Sequence, residues 1–204
     1  MITRMQGKTL GSRAFPTREA RLSALEKAML RWIVVDPDDK LLDTSIGSGM
    51  MAEYLRRNMQ CEICGVSDNM EDMRYARSLL RSSDIVYAPR GDIPWREEAF
   101  DTVLMKPAGE DDMQLKRMFE EAARVLKPGG QLILGLRCYP AALEVINPWR
   151  LEEGEKKAFC KERITDMLCQ SSFQNITWQR TGLGSGILIA WKPKPSVERV
   201  RTAV

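Results

Sequence analysis

The stretch Leu41-Leu42-Asp43-Thr44-Ser45-Ile46-Gly47-Ser48-Gly49 constrains this chain more than any other. It opens apolar, passes a single carboxylate and ends in small residues. The helix-prone run Met50–Met59 follows. That order predicts a strand, a tight turn and a helix start. Glycines let a backbone approach a ligand closely, and the first N–H groups of a helix offer donors at a positive dipole end. Such a turn suits a nucleotide-like ligand at the carboxyl end of a strand in a doubly wound sheet. Two glycines after a strand also describe an ordinary turn, so the rest of the chain must supply the remaining parts of a site.

The other segments continue the alternation. Leu22, Leu25, Met29 and Trp32 fall on one helical face, with Thr17 as a candidate N-cap, predicting a helix from Thr17 to about Ile33. Strands are expected at 41–44, 61–66, 84–88, 100–105 and 131–136, and helices at 50–59, 70–81, 111–126 and 159–170. Lys127-Pro128-Gly129-Gly130 should end the 111–126 helix and turn the chain. Residues 137–158 are irregular, with Pro140, Pro148 and Gly154. The β-rich runs 175–180 and 187–191 are too close for a helix between them, so they should pair antiparallel. Five strand–helix alternations and a closing hairpin predict an α/β fold: a doubly wound, mostly parallel sheet. Residues 1–16 read as a flexible arm, 17–193 as one domain and 194–204 as a loose tail.

Composition narrows the chemistry. At 44% apolar and 29% charged, the 204 residues match a globular protein in water, and no apolar run approaches bilayer length. No partner membrane is expected, and without an apolar leader the expected location is the cytoplasm. The formal charge of +3 is too small to argue for nucleic acid. The chain has no histidine, which excludes Ser-His-Asp and Cys-His chemistry and any histidine base. Its five cysteines include Cys61-Glu62-Ile63-Cys64, but there is no second such pair. Buried thiols in a strand are expected, and no metal site.

Four segments together resemble the class I S-adenosylmethionine-dependent methyltransferases, particularly the group acting on small molecules. The Leu41–Gly49 stretch resembles that family's first motif. Gly65-Val66-Ser67-Asp68 through Met73-Arg74-Tyr75-Ala76-Arg77 resembles its second strand, turn and helix. Gly91-Asp92-Ile93-Pro94-Trp95 with Ala99-Phe100-Asp101-Thr102-Val103 resembles its acidic loop and fourth strand. Glu121-Ala122-Ala123-Arg124-Val125-Leu126-Lys127-Pro128-Gly129-Gly130-Gln131-Leu132 resembles the approach to its fifth strand. The resemblance implies a Rossmann-like sheet of seven strands, the last antiparallel, with S-adenosylmethionine as cofactor.

It also implies roles. Asp43 would face the ammonium of the cofactor's amino-acid tail, and Ser45, Gly47 and Gly49 would form the turn beneath that tail. Ser67 or Asp68 would accept from the ribose hydroxyls, and Asp92 and Ile93 would meet the adenine. Two positions depart from the pattern: Ser45 stands where the first glycine is usual, and Ser67 where an acid is usual, with Asp68 one step later. Either Asp68 is recruited through a shifted turn or Ser67 makes a weaker contact. Lys106 and Glu110 sit where relatives contact the methyl acceptor, or are solvated loop charges. Arg137, Tyr139 and Trp149 are further acceptor-pocket positions. The expected activity is methyl transfer to a small-molecule acceptor. The alternative is a non-catalytic domain of the same fold that binds a partner or the cofactor.

Overall fold

The computed structural model describes residues 22–81, 84–137, 160–182 and 185–195. The expected arm at 1–16, the Thr17 cap, Tyr139, Trp149 and the tail from 196 lie outside the described residues. The elements are α1 (Ala24–Leu30), β1 (Lys40–Asp43), α2 (Met50–Met59), β2 (Glu62–Ser67), α3 (Met70–Leu80), β3 (Ile85–Tyr87), β4 (Phe100–Met105), α4 (Asp112–Val125), β5 (Leu126–Arg137), α5 (Lys161–Gln170), β6 (Gln174–Gly182) and β7 (Ser185–Trp191).

Seven strands form one sheet in the order β3-β2-β1-β4-β5-β7-β6. The pairs β1–β2, β1–β4, β2–β3 and β4–β5 are parallel, whereas β7 runs antiparallel to both β5 and β6. The expected hairpin is therefore present, with β7 inserted between β5 and β6. Strand order reverses at β1 and β4, which opens a crevice at their carboxyl ends.

Helices cover both faces, so the central strands are apolar on both sides. On one face Met29, Met51, Leu55 and Met73 bring α1, α2 and α3 onto Leu41, Leu104 and Ile133. On the other, Met118, Phe119 and Leu168 bring α4 and α5 onto Leu42, Val103 and Leu134. Cys61 packs in the first of these cores and Cys64 in the second, so the two thiols point to opposite faces of the sheet.

Two local expectations are corrected. Helix α1 begins after Ser23: the Ser23 Oγ accepts the Glu26 N–H at 3.2 Å and Glu26 Oε2 accepts the Ser23 N–H at 2.9 Å. This reciprocal capping box outcompetes propagation back through Leu22. The Lys127–Gly130 segment lies inside β5 rather than before it. Phe100 pairs with Leu126 and Thr102 with Gln131, so the residues between Leu126 and Gln131 bulge opposite Asp101. Gly129 adopts φ +82° there, and its N–H donates to the Lys192 carbonyl at 2.9 Å. The Lys192 N–H returns a bond to the Gly130 carbonyl at 2.9 Å. The chain after β7 is thus held against this bulge as far as Lys192.

Candidate functional site

The crevice is built from the ends of β1, β2 and β4 and the loop after β3. It contains about 490 Å³ free of protein atoms, counted out to open solvent. Thr44, Ser45 and Lys106 line one side, Asp68 and Arg90 another, and Asp92, Ile93 and Met118 a third.

Backbone bonds fix the glycine turn between two strands. The Thr44 N–H donates to the Leu104 carbonyl at 2.9 Å, and the Ile46 N–H to the Val66 carbonyl at 3.1 Å. Gly65 makes room for Ile46, whose Cδ1 lies 2.3 Å from where a Cβ on residue 65 would sit. The two turn glycines have different reasons to be glycine. Gly47 has φ +51° and open space where its Cβ would point, so its backbone is accessible. Gly49 has φ +76°, and its Cβ would fall 3.0 Å from the Ala76 Cβ, so it serves the approach of α3. Ser45, at the usual glycine position, turns its Oγ to the Lys106 N–H at 3.1 Å.

Asp43 ends β1 and is 1% exposed. Its Oδ1 accepts the Ser45 N–H at 3.0 Å, while its Oδ2 is buried and, among the described residues, accepts no hydrogen bond. Lys106 Nζ lies 3.9 Å from that oxygen and donates to Glu26 Oε1 at 3.1 Å. Burial pushes the Asp43 carboxyl up, with Lys106 and the Ser45 N–H opposing it. Burial works against the charged Lys106 too, but Asp43 and Glu26 outweigh it and hold its ammonium above the ordinary lysine value. Glu26 is the mirror case: burial disfavours its charge, and Lys106 and the Ser23 bonds win, holding its carboxyl below the usual range.

The ribose-side positions separate. Ser67 is buried, and its Oγ both donates to the Asn69 carbonyl at 3.0 Å and accepts the Asn69 N–H at 3.1 Å, so its hydroxyl serves the turn. Asn69, not Asp68, caps α3. Asp68 is released to line the crevice, where its Oδ2 accepts from Arg90 Nε. The same guanidinium donates from Nη1 to Glu110 Oε1 at 2.6 Å. Glu110 is 6% exposed and also accepts the Ala108 N–H. Neither Lys106 nor Glu110 is a solvated loop charge. Asp92 and Ile93 both line the crevice, but Asp92 is bonded to Arg117 of α4. The loop that carries them is tied to α4 by Arg124, whose Nη1 donates to the Trp95 carbonyl at 2.8 Å and Nη2 to the Ile93 carbonyl at 2.9 Å. Arg137 ends β5, exposed.

Arg90 and Arg117 carried no signal in the sequence, because they bond to side chains at least 20 positions away, and only the Glu26 bond from Lys106, 80 positions distant, was equally hidden. Elsewhere, among the described residues, Glu62, Cys64 and Asp84 bring ligand-type atoms within 4.8 Å of one another. Lys40 already neutralises Glu62 there, and burial pushes the Cys64 thiol up to about 12, so this is a poor metal-ligand set.

A profile of the methyltransferase domain family matches residues 42–134, which span the strands and loops of this crevice. The match spans a little under half of the chain and, with the fold, supports a class I S-adenosylmethionine-dependent methyltransferase. The chain is similar to tocopherol O-methyltransferase of Arabidopsis thaliana, 24% identical over 170 residues that cover 76% of this chain and 46% of that protein. It therefore spans about half the length of that relative. It is also 24% identical to demethylmenaquinone methyltransferase of Tropheryma whipplei, over 78% of this chain and 76% of that protein. Among solved structures, the [4+2]-cyclase SpnF shares the fold with a TM-score of 0.71 at 19% identity, covering 83% of this chain and 81% of that one. A cyclase on this fold shows that architecture alone does not settle the reaction.

S-adenosylmethionine is the cofactor of this family, and the residues present fit it. The orphaned Asp43 Oδ2 lies in the same strand–turn unit as the open backbone face at Gly47. Among the described residues no helix is long and apolar enough to cross a membrane.

Proposed function

We propose that this chain transfers a methyl group from S-adenosylmethionine to a small-molecule acceptor. The observation that carries the reading is the crevice at the strand-order switch, where Ser45 of the glycine turn, Asp68, Asp92 and Ile93 line one cavity. The named activities of the tocopherol and demethylmenaquinone relatives support a small acceptor. In this reading Asp43 and the Ser45–Gly49 turn hold the amino-acid tail. Asp68 takes the ribose hydroxyls in place of Ser67. Ile93 packs beside the adenine, with Asp92 accepting from its amino group. The cofactor supplies an electrophilic methyl group. The protein aligns it with the acceptor and excludes water, and alignment alone supplies much of such a rate.

The domain assignment rests on the same reading: one cofactor-binding unit over 17–193, flanked by an arm and a tail. Titration calorimetry with S-adenosylhomocysteine tests it. Binding in the micromolar range is expected, and no heat at millimolar ligand overturns the reading.

A second reading, a domain that binds cofactor or a protein without transfer, is favoured by Ser67. Its hydroxyl is committed to Asn69 where the family places an acid. Cofactor binding with no turnover on quinol, phenol and amine acceptors would support it.

A further inference from the structure

Helices α2 and α3 share one core and leave a groove between them at the surface. The groove holds about 1010 Å³ free of protein atoms, counted out to open solvent, and shares no lining residue with the crevice. Glu53, Arg56 and Arg57 fall on one face of α2 at helical spacing, and Tyr75 and Ser78 on one face of α3. Arg81, just past the end of α3, completes the lining.

A buried carboxylate organises this surface. Glu53 is 3% exposed. Its Oε2 accepts from Arg56 Nη2 at 2.9 Å and from Arg56 Nε at 3.2 Å, and its Oε1 accepts from Arg57 Nε. Two guanidiniums are thereby fixed in orientation, and each keeps unused N–H donors, since a guanidinium carries five. Arg81 stands at φ +49°, a left-handed conformation where glycine is the usual residue, and it pairs with no described residue. Three arginines therefore face one carboxylate, and the Tyr75 ring beside them is half exposed.

Oriented guanidiniums bond phosphate oxygens in pairs, and an exposed aromatic face is where a nucleobase stacks. We propose that this groove binds a nucleoside di- or triphosphate, with its phosphates on Arg56, Arg57 and Arg81 and its base over Tyr75. A compact ligand is favoured over a nucleic-acid strand because the formal charge of the whole chain is only +3. Arginines near a helix C-terminus also answer the helix dipole, but that role asks for no aromatic neighbour and predicts no ligand. The assignment stands apart from the function proposed above, since no residue of the crevice takes part in it.

The test is calorimetry of the full chain with guanosine triphosphate, inorganic pyrophosphate and guanosine, at constant ionic strength and without divalent metal. Guanosine triphosphate should bind, pyrophosphate about fivefold more weakly for want of the stacked base, and guanosine alone not measurably. Arg81→Gln removes no described contact, so it should keep the wild-type melting temperature while weakening both phosphate ligands about tenfold. Tyr75→Ala should weaken guanosine triphosphate and leave pyrophosphate unchanged. Arg74→Gln, exposed on α3 outside the groove, should change neither. No heat with either phosphate ligand at millimolar concentration overturns the assignment. So does guanosine triphosphate binding that Arg81→Gln or Tyr75→Ala leaves intact, or that Arg74→Gln weakens as much as Arg81→Gln. A long oligothymidylate that binds the groove more tightly than guanosine triphosphate overturns it in favour of a nucleic-acid surface.

Discussion

Arg90 donates to Glu110 across 2.6 Å, joining the loop after β3 to the loop after β4 over the mouth of the crevice. The Arg90 side chain is half exposed and that of Glu110 is only 4% exposed, so the carboxylate depends on the guanidinium more than the reverse. The same arginine holds Asp68, the residue proposed above to take the ribose hydroxyls. One side chain thus ties the turn after β2 to the loop after β4.

Arg90→Gln should destabilise the fold by about 1–2 kcal/mol, because a buried carboxylate loses a charged donor. Urea unfolding would show it. Adding Glu110→Gln should recover much of the loss, since the uncompensated charge is then gone. S-adenosylhomocysteine affinity should fall in the single variant through misplacement of Asp68.

Alanine at the two turn glycines should separate fold from binding. Each substitution puts a side chain at positive φ, which costs about 1–2 kcal/mol. Gly49→Ala adds a contact of 3.0 Å with Ala76 and should lower the melting temperature further than Gly47→Ala. Gly47→Ala meets no protein atom, so its larger effect should appear in cofactor affinity.

Gly65 and Ile46 form a testable pair. A methyl at residue 65 would overlap the Ile46 Cδ1 at 2.3 Å, and over-packing of this kind costs about 1–3 kcal/mol. Gly65→Ala should therefore destabilise the protein, and Ile46→Val in the same chain should restore part of the loss. Additive losses in the double variant would show that the clash is not the cause.

Acid should expose the Glu26 contribution. Burial opposes its charge, but Lys106 and Ser23 hold its carboxyl below the ordinary range. A carboxyl lowered by folding stabilises the protein above its unfolded value of about 4.3 and loses that contribution as pH falls through the folded value. Glu26→Gln should be less stable than wild type by about 1–2 kcal/mol at neutral pH, with the gap closing below about pH 4. Asp43, pushed up by burial, carries the opposite sign in both proteins. Urea midpoints measured across pH would trace the difference.

Much of the sheet was readable because periodicity changes where strands give way to helices. Helix α2 and strand β4 fall where the patterns placed them, and the short Thr181–Gly186 link left no room for anything but an antiparallel return. The Lys127–Gly130 bulge was read as a turn before β5 because its partner is Lys192, and local sequence does not register a bond across that distance. Asp43 ends β1 and Gly47 lies in the turn after it, where the strand–turn pattern placed them. Arg90 and Lys106 acquire meaning only through Asp68, Glu110 and Glu26, which the fold alone brings together.

Arg124 reaches from α4 to grip the carbonyls of Ile93 and Trp95. The loop proposed above to meet the adenine is therefore shaped from behind, by the helix that grips it. A lesion at Arg124, such as Arg124→Ala, would touch no ligand yet let that loop sag. Tolerance for the purine could then be retuned by sites a contact map of the bound nucleoside would never mark.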